Sequence, residues 1–244
     1  MYYQYISRTD STNRLLKDLV RAQALPEGFV VRTDYQEKGR GQAGNHWESE
    51  RGKNLLISVL LRPEHIELAE QFILSQLVSL AILRTLQAMV SPIQAAGFSI
   101  KWPNDIYWQD RKIGGILIEN VLLGTRMSSS VLGIGLNINQ THFLSDAPNP
   151  VSLRQITGTS HSKMNILHRL MNELLSLYHE ASFEQIRALY RSHLYRRSGY
   201  HRFYSEAKGY FEATIERIEN DGCLVVREQS GQETGFYFKE VVFA

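Results

Sequence analysis

Gly39-Arg40-Gly41-Gln42-Ala43-Gly44-Asn45-His46-Trp47 lies inside an 18-residue stretch, Gln36 to Lys53, that has four glycines and almost no apolar residues. Apolar runs flank it, Phe29 to Tyr35 before and Asn54 to Arg62 after, and both read as strands. A connection of that length in a compact domain is either functional or disordered. Gly39, Gly41 and Gly44 permit close backbone approach, so main-chain N–H groups can converge on an anion. Lys38, Arg40, Arg51 and Lys53 add positive charge, and Trp47 adds one large apolar surface. Composition alone leaves two readings open: an anion-binding lid, or a solvated loop with idle charges.

Outward from the loop, a helix is expected from about Ser11 to Ala24, with N-cap chemistry at Asp10-Ser11-Thr12 and an end before Pro26. Ile66 to Val90 reads as a buried amphipathic helix; its Glu67, Glu70, Gln71, Gln76 and Arg84 argue against a membrane span. Strands are expected at Ser99–Trp102, Asp105–Trp108, Ile113–Asn120 and Ser130–Asn139, with Gln109-Asp110-Arg111-Lys112 as a hairpin turn. Two helices follow, roughly Asn165–Ala181 and Phe183–Leu194. Beyond Tyr200 come short strands at Gly209–Ile218, Cys223–Glu228 and Thr234–Val242, separated by Asn220-Asp221-Gly222 and Gln229-Ser230-Gly231. The expected fold class is α+β: a mixed-sheet domain over 1–198 and a small β-barrel over 199–244. A barrel of about 45 residues is too small for a self-sufficient core and is expected to pack on the larger domain.

Composition excludes several classes. The 244 residues are 43% hydrophobic and 21% charged, an ordinary globular balance, and the net charge of +2 is too mild to argue for nucleic acid. A single cysteine, Cys223, rules out an internal disulfide framework, and the eight histidines form no HxxxH or HExxH pair, so no metal site is expected. No secretory signal is visible at the N-terminus, and the expected location is cytoplasmic, without membrane association.

Three further segments carry chemistry. Lys101-Trp102-Pro103-Asn104-Asp105 holds a lysine, an amide and a carboxylate around a proline; a turn there would bring Asn104 or Asp105 into a cleft, and a surface ion pair at a strand end is the plainer reading. In Lys112-Ile113-Gly114-Gly115, two glycines weaken a strand-forming run, as where something approaches the backbone closely. Lys112 would reach whatever lies there, or is simply a hairpin-turn lysine. Gly133-Ile134-Gly135-Leu136-Asn137-Ile138-Asn139 fails the dinucleotide fingerprint, lacking the third glycine and a following helix. It reads better as a strand making room for a planar ligand, with Asn137 or Asn139 free to meet a base edge. There is no P-loop and no nucleophile elbow.

Together these segments resemble the biotin–protein ligases, in order and at similar spacing. The matching elements are Ser11-Thr12-Asn13, Tyr35-Gln36, Gly39-Arg40-Gly41 through Trp47, Lys101 to Asp105, Asp110-Arg111-Lys112 with Gly114-Gly115, and Gly133 to Asn137. The resemblance runs from about residue 5 to 140 and more loosely beyond. It implies an α+β catalytic domain with a C-terminal SH3-like barrel, and a ligase forming an amide bond in two steps. The biotin carboxylate attacks the α-phosphate of Mg-ATP to give biotinyl-5′-AMP and pyrophosphate. A lysine of a biotin carboxyl carrier domain, part of a biotin-dependent carboxylase, then attacks the acyl-adenylate. The implied cofactors are ATP and Mg2+, and the chain is expected as a monomer or homodimer.

By the same resemblance, Lys112, Arg40 and Asp105 are catalytic. Ser11, Thr12, Asn13, Gln36, Gly39, Arg40, Lys112, Gly114 and Gly115 bind biotin, while Arg40, Gly41, Trp47, Asn104, Lys112, Gly133 and Asn137 serve the ATP and adenylate side. Fixed cations are what joining a carboxylate to a triphosphate requires, and Asp105 is placed to accept the acceptor lysine's proton. Gln42 and Asn45 stand where the family commonly has arginines, so this loop carries less charge for phosphate. Glu240-Val241-Val242-Phe243-Ala244 lacks the basic residue that some relatives place near the phosphates, and the barrel is assigned no catalytic role. With ten residues before Ser11, no DNA-binding repressor role is expected. A lipoate–protein ligase would show an arginine-serine-glycine-glycine loop, which is missing; a module that binds without transfer is disfavoured by Lys112 and Asp105 together.

Overall fold

The computed structural model describes residues 2–124, 126–144 and 149–244. Among the described residues, twelve strands form two sheets: β1 (Tyr3–Ile6), β2 (Val30–Thr33), β3 (Leu55–Leu61), β4 (Phe98–Lys101), β5 (Asp105–Trp108), β6 (Arg111–Leu123), β7 (Arg126–Leu136), β8 (His201–Ser205), β9 (Gly209–Ile218), β10 (Leu224–Glu228), β11 (Glu233–Phe236) and β12 (Val242–Phe243). The helices are α1 (Thr12–Ala22), α2 (Phe72–Gln87), α3 (Pro92–Ala95), α4 (Leu153–Thr157), α5 (Lys163–Glu180) and α6 (Phe183–Ser192). The first seven strands make a mixed sheet in the order β1-β2-β3-β7-β6-β5-β4, parallel only between β1 and β2. The chain is α+β, as its sequence predicts.

Alternation along the strands decides which face is which. Leu55, Ile57, Val59 and Leu61 of β3 join the main core with α2, α5 and α6. Leu60, and Val31 of β2, turn the other way and pack beneath Leu16 of α1. Helix α2 starts later than the apolar run suggests, after a 3-10 turn at Leu68–Glu70. Twelve of its sixteen residues are buried, including Gln76, Ser79 and Thr85, so it is enclosed on every side and is not amphipathic.

A five-stranded antiparallel sheet, β11-β10-β9-β8-β12, stands where the sequence predicts a barrel. Its Phe203, Leu224, Val226 and Phe236 belong to the same buried cluster as the large sheet, so its core is shared, as its size requires. The Trp102 indole N–H donates to the Gly222 carbonyl at 2.9 Å. Gly222 has φ +95°, and a Cβ there would lie 2.6 Å from the Phe72 ring, so glycine is required twice over.

Strands β1 and β8 are absent from the sequence expectation, and the single strand expected over Thr234–Val242 is two. A turn with Lys239 at φ 73° separates them, closed by Glu240 N–H donating to the Tyr237 carbonyl and Tyr237 N–H to the Glu240 carboxylate. The turn sends β12 to the opposite edge of its sheet, beside β8.

Gly222→Ala combines left-handed strain with overpacking, and should cost about 2–4 kcal/mol of stability. Gly231→Ala, at φ +88° in open space, should cost only the strain, about 1–2 kcal/mol. Thermal denaturation of the two variants checks the difference.

Candidate active site

The candidate site lies on the face of the large sheet that carries α1. Gly115 of β6 pairs with Gly135 of β7, which leaves a patch of bare backbone in the middle of the sheet. Trp47 lies on it: a Cβ on Gly135 would stand 2.6 Å from the indole, and one on Gly115 would stand 3.1 Å away. The loop delivers the ring as a small hairpin, with Gly41 N–H donating to the Asn45 carbonyl at 2.6 Å and Trp47 N–H to the Gly39 carbonyl at 3.0 Å. At the loop's base, Glu50 N–H and the Asn54 amide both donate to Gln140 Oε1. The Trp47 indole N–H and Gln42 Oε1 are buried without hydrogen-bond partners. Such a group costs about 1–3 kcal/mol unless something satisfies it.

Lys112 reaches this floor because of a β-bulge. Asp105 pairs with Gly115, Ile106 with Gly114 and Tyr107 with Lys112, so Ile113 is the extra residue. Strict alternation would put Lys112 and Gly115 on opposite faces; the bulge puts them on the same one. Lys112 is therefore a strand residue and not part of the turn, which is confined to Gln109 and Asp110. Its ammonium lies 2.7 Å from Asp105 Oδ1 and 5.8 Å from the Trp47 ring centre.

The Lys101–Asp105 segment closes one wall. The Trp102–Pro103 peptide is cis, and the Tyr190 hydroxyl donates to the Pro103 carbonyl. Asn104 is fixed through both its groups: its side-chain amide donates to the Ile116 carbonyl at 2.6 Å, and its own carbonyl accepts from Ile116 N–H. Lys101, which was not among the expected site residues, is held among the rings of Tyr107, Phe243 and Tyr195, at 4.9, 5.3 and 5.9 Å. Burial pushes its ammonium below the ordinary lysine value, against the opposing pull of Asp105.

The opposite wall is the start of α1. The Ser58 hydroxyl donates to Asn13 Oδ1 and lies 2.8 Å from Thr12 Oγ1, while Gln36 Oε1 accepts from both the Thr12 N–H and its hydroxyl. Ser11 takes the N-cap position but makes no capping bond with its side chain. Asn13 passes its amide to Glu119, which also binds Lys17 at 2.6 Å and lies 3.8 Å from Arg40. Burial raises the Glu119 carboxyl, but the hydrogen bonds from Lys17 and Asn13 and the charges of Lys17 and Arg40 outweigh it and hold the group low.

These walls enclose a cavity of about 280 Å3. Ser11, Thr12, Asn13, Gln36, Arg40, Gly41, Trp47, Asn104, Asp105, Lys112, Gly115 and Gly133 of the expected set border it. Gly39, Gly114 and Asn137 do not. Gly39 supports the return of the loop, with Trp47 O 2.5 Å from where its Cβ would be. Gly114 faces the helical layer, against Leu136, and Asn137 lies behind, its backbone bonded to Ile113 and Leu153. The C-terminal segment, for which no catalytic role is expected, also contributes Phe238, Lys239, Val241, Val242 and Phe243 to the cavity border. The charged residues that border the cavity are Arg40, Lys101, Lys112 and Lys239 with one carboxylate, Asp105, a formal count of +3 leaving His46 out. Among the described residues no cluster of acidic, histidine or cysteine side chains is arranged to hold a metal ion.

The biotin/lipoate A/B protein ligase family model matches residues 5–137. The chain belongs to that family. The matched span contains the loop, the cis-proline turn, Lys112 and both facing glycines, so the geometry above is the family's region of this chain. A bifunctional ligase/repressor BirA from Bacillus spizizenii is 29% identical over 238 residues, covering 91% of this chain and 68% of that protein. The Escherichia coli BirA is 37% identical over 130 residues, 53% of this chain and 38% of its own. The biotin protein ligase of Aquifex aeolicus, solved with biotin and ATP, superposes with a TM-score of 0.78 at 24% identity, over 99% of this chain and 97% of that one. The family member described here thus has the biotin protein ligase fold, C-terminal sheet included. No described helix is long and apolar enough to cross a membrane.

Gly135→Ala should expel the Trp47 ring. Its emission should shift to the red and become more quenchable by acrylamide, relative to a Trp47→Phe background, with the fold retained. Glu119→Gln tests the network behind Arg40. A depressed folded-state pKa contributes stability above the unfolded value of about 4.3 and loses it as pH falls through the folded value. The variant should melt below the native protein at neutral pH, and the gap should close only as pH falls through the depressed folded value, where the native carboxyl also becomes neutral.

Proposed function

We propose that this chain is an ATP-dependent biotin–protein ligase that makes biotinyl-5′-AMP and transfers biotin to a lysine of a biotin carboxyl carrier domain. The observation that carries this reading is the Lys112–Asp105 pair beside the Trp47-covered glycine floor, in a cavity whose lining is net positive. Two anions must be brought together in the first step, and fixed cations in a partly closed site lower that barrier. A biotin carboxylate oxygen attacks the α-phosphorus, the bond to the β-phosphate oxygen breaks, and the electron pair leaves with pyrophosphate. Lys112 steadies the carboxylate and then the adenylate phosphate. Ser11, Thr12, Asn13 and Gln36 hold the ureido end of biotin, and Arg40 with Gly41 meets the α-phosphate.

In the second step the acceptor amine attacks the acyl carbon, the acyl C–O bond breaks, AMP leaves, and the amine's proton passes to Asp105. Trp47 and the hairpin cover the mixed anhydride and keep water from it. Lys101 and Lys239 supply positive charge that Gln42 and Asn45 do not, so the grip on phosphate is moved from the loop to the cis-proline wall and the C-terminal sheet. A resident metal does not fit the donor set, which offers one carboxylate in the cavity; Mg2+ enters as Mg-ATP, held by phosphate oxygens and water.

Incubation with Mg-ATP and either biotin or lipoate, read by pyrophosphate release and acyl-AMP mass, tests the reading: biotinyl-AMP is expected, and its absence would sink the assignment. Lys112→Ala should slow the first step by about 10²–10³-fold. Asp105→Asn should spare adenylate formation and slow transfer to the carrier; equal losses in both steps would remove Asp105 from the role of base.

A further inference from the structure

A second depression, of about 330 Å3, lies on the outer side of α1 and shares Ser11 and Arg40 with the active-site cavity. Arg14, Lys17 and Arg21 border it from one stripe of the helix, three or four residues apart, while Lys38 and Arg40 reach it from the loop. Asp10 and Asp18 are the carboxylates on its border, so its lining is net +3 by count, five cations less two acids. The whole chain carries only +2. Glu119, inside the sheet, ties down Lys17 and approaches Arg40, and even counting it the patch holds the chain's entire positive excess.

Three of the five cations are not consumed by their neighbours. Arg14 and Lys38 stand 3.8 and 3.7 Å from Asp10, and Arg21 stands 3.5 Å from Asp18. Exposed pairs at such distances hold little energy. The Arg14 and Lys38 side chains are 66 and 75% exposed against 39% for the Asp10 they share, and Arg21 is 77% exposed against 59% for Asp18, so these cations project beyond their carboxylates. A polyphosphate would be gripped at close range by converging donors; here the donors fan outward over a helix face, and the Thr12 N–H at its start is already given to Gln36. A splayed, exposed cationic surface is suited to steering a protein.

We propose that this basic cleft docks the protein acceptor, by meeting an acidic surface whose carboxylates flank the lysine to be modified. This rests on the ligase reading, and names the surface by which the acceptor approaches that site. Because the cleft and the cavity share a rim at Ser11 and Arg40, a partner seated on α1 has its lysine beside the cavity mouth. Docking of this kind sets encounter rate and orientation more than affinity.

The test uses an Arg14→Glu/Arg21→Glu variant, with Arg14→Gln/Arg21→Gln as the milder form; neither residue takes part in the chemistry. With a recombinant biotin carboxyl carrier domain as acceptor, kcat/KM for transfer should fall by about tenfold or more in the reversed variant, and less in the neutral one. Pyrophosphate release without acceptor, and capture of the acyl group by hydroxylamine, should be unchanged. Native transfer should weaken with added salt, and the variant's salt dependence should flatten. Unchanged transfer to the carrier would overturn the proposal. So would a raised KM for ATP, which would make the cleft a phosphate site. Anisotropy of a labelled carrier domain, at two ionic strengths without nucleotide, asks the same question without chemistry. Salt-sensitive binding lost in the variant supports docking even if no adenylate forms, and binding equal in both forms overturns it.

Discussion

Where Gly115 faces Gly135 across β6 and β7, the sheet has no side chains on one face, and everything else at the site is arranged around that gap. The other face of the same strands is filled by Ile116, Leu132, Ile134 and Leu136 against the helical layer, so the gap has a rigid floor. Trp47 settles on it with its indole N–H unsatisfied. Burial of a large ring offsets the cost of an orphaned donor, and leaves a place where an acceptor atom of a ligand would be favoured.

Charge follows the same geometry. Asp105 is the partner of Gly115 in the β5–β6 ladder, so the cavity's single lining carboxylate stands at the edge of the bare floor. Lys112 is drawn to it from one side, and Lys101 is held on the other by three rings, one of them Phe243 of the C-terminal sheet. That sheet is thus part of the wall and not an appendage: Trp102 binds the Gly222 carbonyl, and Lys239 borders the cavity from a left-handed turn. Strain in that turn is the kind a fold retains where position matters. The cavity's cations come from four separate elements: Arg40 from the loop, Lys101 from β4, Lys112 from β6 and Lys239 from the C-terminal turn.

Most strands and helices were legible because their apolar period is strong: α5, α6, β3, β5 and β9 lie close to where alternation or helical spacing puts them. Strand β1 was missed because Tyr3-Gln4-Tyr5-Ile6 is a short edge with two exposed tyrosines, and β8 because its tyrosine and arginine face outward. The break between β11 and β12 depends on one positive φ at Lys239, a residue type that carries no turn signal.

By itself the sequence determined the α+β class, the loop, and the residue types that gather at the site, because these depend on local composition and spacing. Family membership was readable for the same reason, from motifs in order along the chain. Tertiary structure alone decided the rest. The bulge at Ile113 brings Lys112 to the face of Gly115 and leaves Gly114 on the other, a change of parity that depends on pairing with β5. Lys239 reaches the cavity because the C-terminal sheet folds back beside the Trp102–Pro103 turn, and Phe243 of that sheet is one of the three rings around Lys101. Local patterns state what a residue can do; which face it serves is set by hydrogen-bond register between strands distant in the chain.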